Sequence, residues 1–298
     1  MKLYYDFHIH SCLSPCGDED STPNNIVNMA LVKGLHVIAL SDHNTGKNCP
    51  AAIAVGKKNG LVVLPAMELT TSEDIHILCL FERYEDLQKL EAHIQKTRLR
   101  IKNKPEIFGR QLILNENDEI VGEEENLLIV SSGVSVEDAA ALVAGFGGIA
   151  VPAHIDKQAN GLIGVLGAFD YSLGFRMVEC AHETDVALPR ITDSDAHYIW
   201  DISEPEHFIE AESCSARGVF AALKRMCAEG NEPSAMNASS RRKNGGAAAP
   251  FFYGENAMAL EKVKEYLKQF GLAERVRVLG QSSATVELAA QALGCEPC

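Results

Sequence analysis

The sequence predicts an α/β fold built of strand–helix units, with polar side chains gathered where the strands end. Three observations predict it. Short apolar runs recur along the chain, and most lead into His, Asp or Glu. Segments with helix start and stop signals separate them. The first run sets two imidazoles on alternate residues, which is one face of a strand. Strands alternating with helices imply βα units and a parallel sheet, and polar groups at strand C-termini are characteristic of barrel enzymes.

Taken in order, the first element lies in "DFHIHSCLSPCGDED", residues 6–20. A strand here turns Asp6, His8 and His10 one way and Phe7 and Ile9 the other. Two imidazoles on one face before an acidic loop point to a metal rather than to a single hydrogen-bonded core histidine. Thr22 with Pro23 starts a helix and Gly34 stops it. Residues 35–40 form a strand ending in Ser41-Asp42-His43, and residues 61–64 one ending in Pro65-Ala66-Met67-Glu68. Residues 75–81 carry His76 near their start. Residues 82–133 break the rhythm and read as an insertion: a long charged helix over 84–104, then a hairpin over 111–121. Ser135 and Asp138 make a capping pattern. Strands follow at 148–151, leading to His154; at 177–180, leading to His182; and at 190–192, leading to Asp193-Ser194-Asp195-Ala196-His197. Residues 1–228 form the main domain. Residues 229–253 are linker by composition, their Arg241-Arg242-Lys243 triplet a solvated segment. Residues 254–298 begin with an amphipathic helix over 257–270.

Composition excludes several classes. The 298 residues include 46% hydrophobic ones, enough for a substantial core. No run of about 18 apolar residues appears, so no membrane span is expected. The N-terminus does not read as a secretory signal. Nine cysteines, an odd number in a large chain, read as reduced thiols in the cytoplasm. Cys79 and Cys180 lie in apolar runs and belong to the core. Cys12 with Cys16, and Cys295 with Cys298, are pairs that could bind metal or form a disulfide. A net charge of −14 argues against duplex nucleic acid as a partner. It leaves room for a phosphorylated small molecule or nucleotide, because bound cations reverse the local field.

The candidate ligands are His8, His10, Asp18, His43, Glu68, His76, His154, Asp195 and His197. These are too many for one ion, since zinc takes about four and manganese about six. Two to three divalent ions (Zn, Mn or Fe), some bridged by a carboxylate, would use them. The set contains no cysteine, which suits hydrolytic chemistry. Asp42 reads as a residue that orients a ligand. His36, His93 and His207 read as structural or surface residues, and His182 as one facing substrate.

In their order and spacing, "FHIHS", "ALSDHNT", "AMELT", "IHILCL", "VPAHID" and "TDSDAH" resemble the PHP (polymerase and histidinol phosphatase) superfamily of metal-dependent phosphoesterases. The resemblance covers about residues 1–228. It implies a distorted (β/α)7 barrel with a trinuclear metal site. His8, His10, Glu68 and Asp195 would hold one ion. Glu68, His76 and His154 would hold a second, bridged through Glu68. Asp18, His43 and His197 would hold the third, with Asp20 and Glu19 as rivals to Asp18. The insertion resembles the branch acting on nucleotides and short oligonucleotides. Where that branch often carries Pro and a basic residue after the His, this chain has Ile155-Asp156-Lys157, and Lys157 would take the phosphate-binding place. The implied reaction is hydrolysis of a phosphate ester. Glu68, His182 and Lys157 are its catalytic candidates, and Lys157, Arg176 and Arg190 its substrate contacts. An amidohydrolase acting on C–N bonds, or a regulatory module without activity, are the alternatives. The last forty or so residues are similar to the start of a YbaK-type aminoacyl-tRNA deacylase domain without its catalytic lysine. They read as a remnant with an apolar face suited to self-association.

Overall fold

The computed structural model describes residues 1–229. The linker, the C-terminal helix, the deacylase-like segment with its self-association, and Cys295 and Cys298 lie outside the described residues.

Strand β1 (Lys2–Ile9) is flanked by β2 (Val37–Leu40), parallel to it, and by β10 (Phe208–Glu210), antiparallel. Strand β3 (Val62–Thr70) runs beside β2 and then beside β4 (His76–Leu80), which pairs in turn with β7 (Ile149–Pro152). The result is a mixed α/β structure with one curled six-stranded sheet, a half-barrel in order β10-β1-β2-β3-β4-β7. A hairpin of β5 (Leu112–Leu114) and β6 (Ile120–Glu123) and a parallel pair of β8 (Val178–Glu179) and β9 (Arg190–Ile191) stand beside it. Single hydrogen bonds continue the curl: Ile155 N–H to Glu179 O at 2.9 Å and His10 N–H to Ala196 O at 2.9 Å.

Two expectations about these strands are corrected. The sheet is not wholly parallel, and β3 does not end at Leu64. Its parallel register with β2 runs to Leu40↔Pro65, and an antiparallel register with β4 begins at Ala66↔Leu80. The few residues between β3 and β4 are too short for a crossover, which needs a dozen or more, so β4 must return antiparallel. Glu68 therefore sits inside a strand, held from both sides. The alternation read in β1 holds for His8 and His10, which both face Glu68, but not for Phe7 and Ile9. A register shift lies between Asp6 and Ile9. Phe7 packs with Leu3 and Tyr5 in one core, while Ile9 packs with Ile38 and Leu40 in another. A bulge of this kind re-aims side chains, and this one sets His8 and His10 above the layer that Phe7 fills.

The two cores lie on the two faces of the sheet. One is roofed by α1 (Pro23–Val32), α2 (Cys49–Asn59), α3 (Tyr84–Ile94) and α4 (Val136–Gly145), through residues such as Ile26, Val55, Leu90 and Val143. The other holds Leu64, Leu78 and Val151. It also takes in Val219, Phe220 and Leu223 of the last helix described, Ala216–Glu229. Helix α3 ends at Ile94, not at 104, because the stripe of Leu87, Leu90 and Ile94 is followed by Thr97 and Arg98, which extend no apolar face. The hairpin and both predicted caps are present: Thr22 and Ser135 accept from Asn25 N–H and Asp138 N–H. Among the described residues, no helix is long and apolar enough to cross a membrane.

Thr22 also ties the hairpin turn to α1, donating to Asp118 Oδ2 at 2.6 Å. Thr22→Ala removes a cap and a charge-assisted hydrogen bond together, and its expected cost is about 2 kcal/mol. Chemical denaturation should show a lower midpoint at an unchanged slope.

Candidate metal centre

Glu68 is the hub. It is 1% exposed, and both of its carboxylate oxygens face imidazoles. Oε1 lies 3.2 Å from His8 Nε2, 2.8 Å from His76 Nδ1 and 3.2 Å from His154 Nε2. Oε2 lies 3.4 Å from His10 Nε2 and 3.1 Å from His43 Nδ1. Asp195 Oδ1 approaches His8 Nε2 at 3.5 Å and His10 Nε2 at 3.3 Å. The rings of His10 and His197 stack at 4.6 Å.

The rings are aimed from behind. His8 Nδ1 donates to Glu179 Oε2 at 2.8 Å, which leaves Nε2 free to face Glu68. His10 Nδ1 lies 3.0 Å from Ser14 Oγ, and Ser14 Oγ donates to Asp42 Oδ1 at 2.7 Å. Asp42 also receives the N–H and Oγ–H of Ser11. Carboxylate partners of this kind fix the tautomer of a ligating histidine. Asp42 is thus an orienting residue, as its place beside His43 predicts.

Three buried nitrogens that face Glu68 are left without a hydrogen-bond partner: His8 Nε2, His10 Nε2 and His43 Nδ1. Unpaired buried polar atoms are costly, and so many in one place fit coordination better than packing. Potential ligand atoms lie within 4.8 Å of one another in four overlapping sets: His8-His10-Glu68, His43-Glu68-His76, His10-Asp195-His197 and His10-Cys16-His43. The set fits divalent metal binding. Two of the predicted ligands have left-handed backbones, His154 at φ 31° and Asp195 at φ 52°, a conformation that side-chain-bearing residues adopt at a cost.

The electrostatics agree. Burial opposes ionisation of Glu68, but His76, His8 and His43 outweigh it and hold its pKa well below the usual range. Asp195 is held low in the same way, against burial, by His8 and His10. Burial pushes His43 well down. It acts against His8 too, yet Glu179 and Glu68 raise that ring. Behind His8, burial and then Glu179 and Asp6 push the Asp193 carboxyl well up.

The structure brings together eight of the nine predicted ligands. Asp18 stands apart from the four sets: its Oδ1 accepts Asp20 N–H at 2.9 Å, and its own N–H donates to His197 O at 2.9 Å. Lys157 Nζ donates to Asp195 Oδ2 at 2.5 Å, and with His182 it lines a cleft of about 160 Å³ beside the centre. Asp156 Oδ2 accepts the N–H groups of Ala181 and His182, so it shapes that cleft's wall. Neither Arg176 nor Arg190 lines it; Arg176 precedes β8, while Arg190 opens β9 and its Nη1 donates to the backbone O of His182 at 3.5 Å, beside the cleft wall. Sequence reasoning missed two residues. Glu179 was legible as a charge set between Val178 and Cys180 in an apolar run. Cys16 was noted only as half of a cysteine pair.

No family model matches the chain. Over 83 residues, 27% of this chain and 29% of the relative, it is 32% identical to a 5'-3' exoribonuclease of Haemophilus influenzae. Endonuclease Q from Pyrococcus furiosus, a lesion-specific endonuclease, is similar in structure at a TM-score of 0.57 and 16% identity, over 76% of this chain and 56% of that one. Endonuclease Q bound to a 27-mer duplex with an abasic lesion at the active site is similar at a TM-score of 0.55 and 16% identity, over 76% and 57%. The chain therefore spans little more than half the length of these structures, and at such identity the likeness is one of fold. It does correct one expectation. Net charge was read as excluding duplex nucleic acid, yet a protein of this fold holds a duplex at its active site. The charge of a whole chain does not decide the local field at a site.

Glu179→Gln keeps the shape of the support but weakens its hold on the His8 ring. Divalent metal affinity, measured by competition with a chromogenic chelator, is expected to fall about 10–100-fold.

Proposed function

We propose that this chain is a metal-dependent phosphoesterase of PHP type acting on a nucleotide or nucleic-acid phosphoester. One observation carries the reading: seven nitrogen- and oxygen-donor residues gather around Glu68, and three of their ring nitrogens are buried without a hydrogen-bond partner. The local identity to an exoribonuclease and the fold shared with Endonuclease Q support the phosphoester class. The hydrogen bonds that continue the half-barrel through β8 and β9 support a distorted seven-stranded barrel.

Two to three divalent ions would be held by His8, His10, Glu68 and Asp195; by Glu68, His76 and His154; and by His43 with His197. Bound there, such ions supply Lewis acidity and make water acidic enough to attack phosphorus near neutral pH. The chain's own residues do the rest. Glu68 presents one oxygen to three histidines and the other to two, the arrangement a bridging carboxylate needs. Lys157 reaches the same cleft from the His154 side and would neutralise phosphoryl oxygens, releasing Asp195 to the centre. His182, whose backbone Asp156 holds, would donate the proton to the leaving oxygen.

The test is a cleavage screen on chelator-stripped and metal-reloaded protein. It covers nucleotides, single-stranded RNA and DNA, and duplexes with and without abasic sites. Activity should vanish on stripping and return with Mn, Fe or Zn. Glu68→Gln should fall below about a tenth of wild-type turnover, a margin set by the 10–100-fold losses that even supporting residues cause. Retention above that margin, or full activity in stripped protein, would remove the bridging role. Lys157→Ala should lower kcat/KM by about 10–1000-fold while leaving bound metal unchanged, as loss of one charge-stabilising donor does.

A further inference from the structure

We propose that Cys16, rather than Asp18, supplies the anionic ligand at the His43 end of the centre, as a metal thiolate. The inference rests on the reading of this cluster as a metal centre and names a donor that reading left open.

Geometry points to the sulfur. Ligand atoms of Cys16, His10 and His43 lie within 4.8 Å of one another, and no such set includes an oxygen of Asp18. His10 belongs to the first ion's set, which leaves His43 Nδ1 as the trio's open nitrogen: it is buried without a hydrogen-bond partner, and His43 is 2% exposed. Cys12, its neighbour in sequence, packs instead against Leu112 and Leu114.

The loop is built to hold Cys16 there. Ser14 N–H bonds Ser11 O at 3.0 Å and Gly17 N–H bonds Ser14 O at 2.9 Å, two successive tight turns. A Cβ on Gly17 would meet Ser11 O at 2.2 Å, so only glycine permits the chain to close on itself after Cys16. The same Ser11 and Ser14 are anchored on Asp42. One buried carboxylate thus aims the His10 ring and fixes the loop that carries the thiol. Asp18 serves the neighbouring ligand by its backbone, through the N–H it gives to His197 O. A thiolate among imidazoles favours zinc, iron or cobalt at this position over manganese.

Cobalt(II) tests this on the full chain, because a thiolate ligand gives cobalt a near-ultraviolet charge-transfer band that nitrogen and oxygen ligands do not. The terminal pair is silenced with Cys295→Ser and Cys298→Ser. Stripped protein is loaded with cobalt, bound metal is counted by elemental analysis, and the band is recorded. The expected result is a band in this background that is kept in Cys12→Ser and Asp18→Asn. It should be lost in Cys16→Ser, with one cobalt fewer per chain. Cys16→Asp should recover the cobalt count without the band, which shows that the variant is folded and the site intact. A band that survives Cys16→Ser, or cobalt bound in full with no band in the parent, overturns the thiolate while leaving the metal centre standing. A parent that binds no cobalt overturns both.

Discussion

A carboxylate has been taken out of water at Glu68, and the arrangement around it follows from what that requires. An isolated buried carboxylate costs several kcal/mol even after relaxation. Five imidazoles within 3.4 Å of its oxygens offset that cost. They arrive from different strands, so the sheet must curl until β1, β2, β4 and β7 all bring their ends towards one point. The change of partner along β3 at Pro65–Ala66 does this locally. It lets one strand run parallel to β2 and antiparallel to β4 while Glu68 stays paired on both sides.

The imidazoles need fixing in their turn, and the buried acids behind them provide it. Glu179 orients His8, and Asp42 orients His10 through Ser14. Asp6 accepts the N–H and hydroxyl of Ser194 and the N–H of Ser203, and so docks the loop that carries Asp195 and His197 against β1. The whole is a shell of ring nitrogens between two layers of carboxylates. Much of the chain's acidic excess of charge is spread over the surface, but these few acids are interior and have assigned partners.

Much of this was legible in the sequence, for a definite reason. Histidine is rare in apolar strands unless something holds it, so His8, His43, His76 and His154 stood out, and Glu68 after an apolar run stood out with them. Helix starts were legible because caps are local chemistry, as Thr22 and Ser135 show. Strand direction was not, because pairing is long-range and depends on how few residues separate β3 from β4. On β1 the shared face of His8 and His10 was legible, but the parting of Phe7 and Ile9 was not, because a register shift within three residues leaves no composition signal. Glu179 and Cys16 were passed over because each was weighed within its own segment. Only the closed fold shows that one backs His8 and the other faces His43. Arg176 and Arg190 were named for their charge alone; neither lines the cleft, and only Arg190 reaches its wall, at the backbone of His182.

The left-handed backbones of His154 and Asp195 have an evolutionary consequence. Glycine is the residue such a backbone prefers, and here it would relieve strain at the same moment that it erased a donor atom. Selection for thermal robustness alone would therefore drift towards glycine at both positions, and selection for chemistry would push back. Residues that a stability-driven redesign would discard first are among those the centre most needs. A homologous chain carrying glycine at either place would mark a lineage in which the scaffold has outlived its reaction.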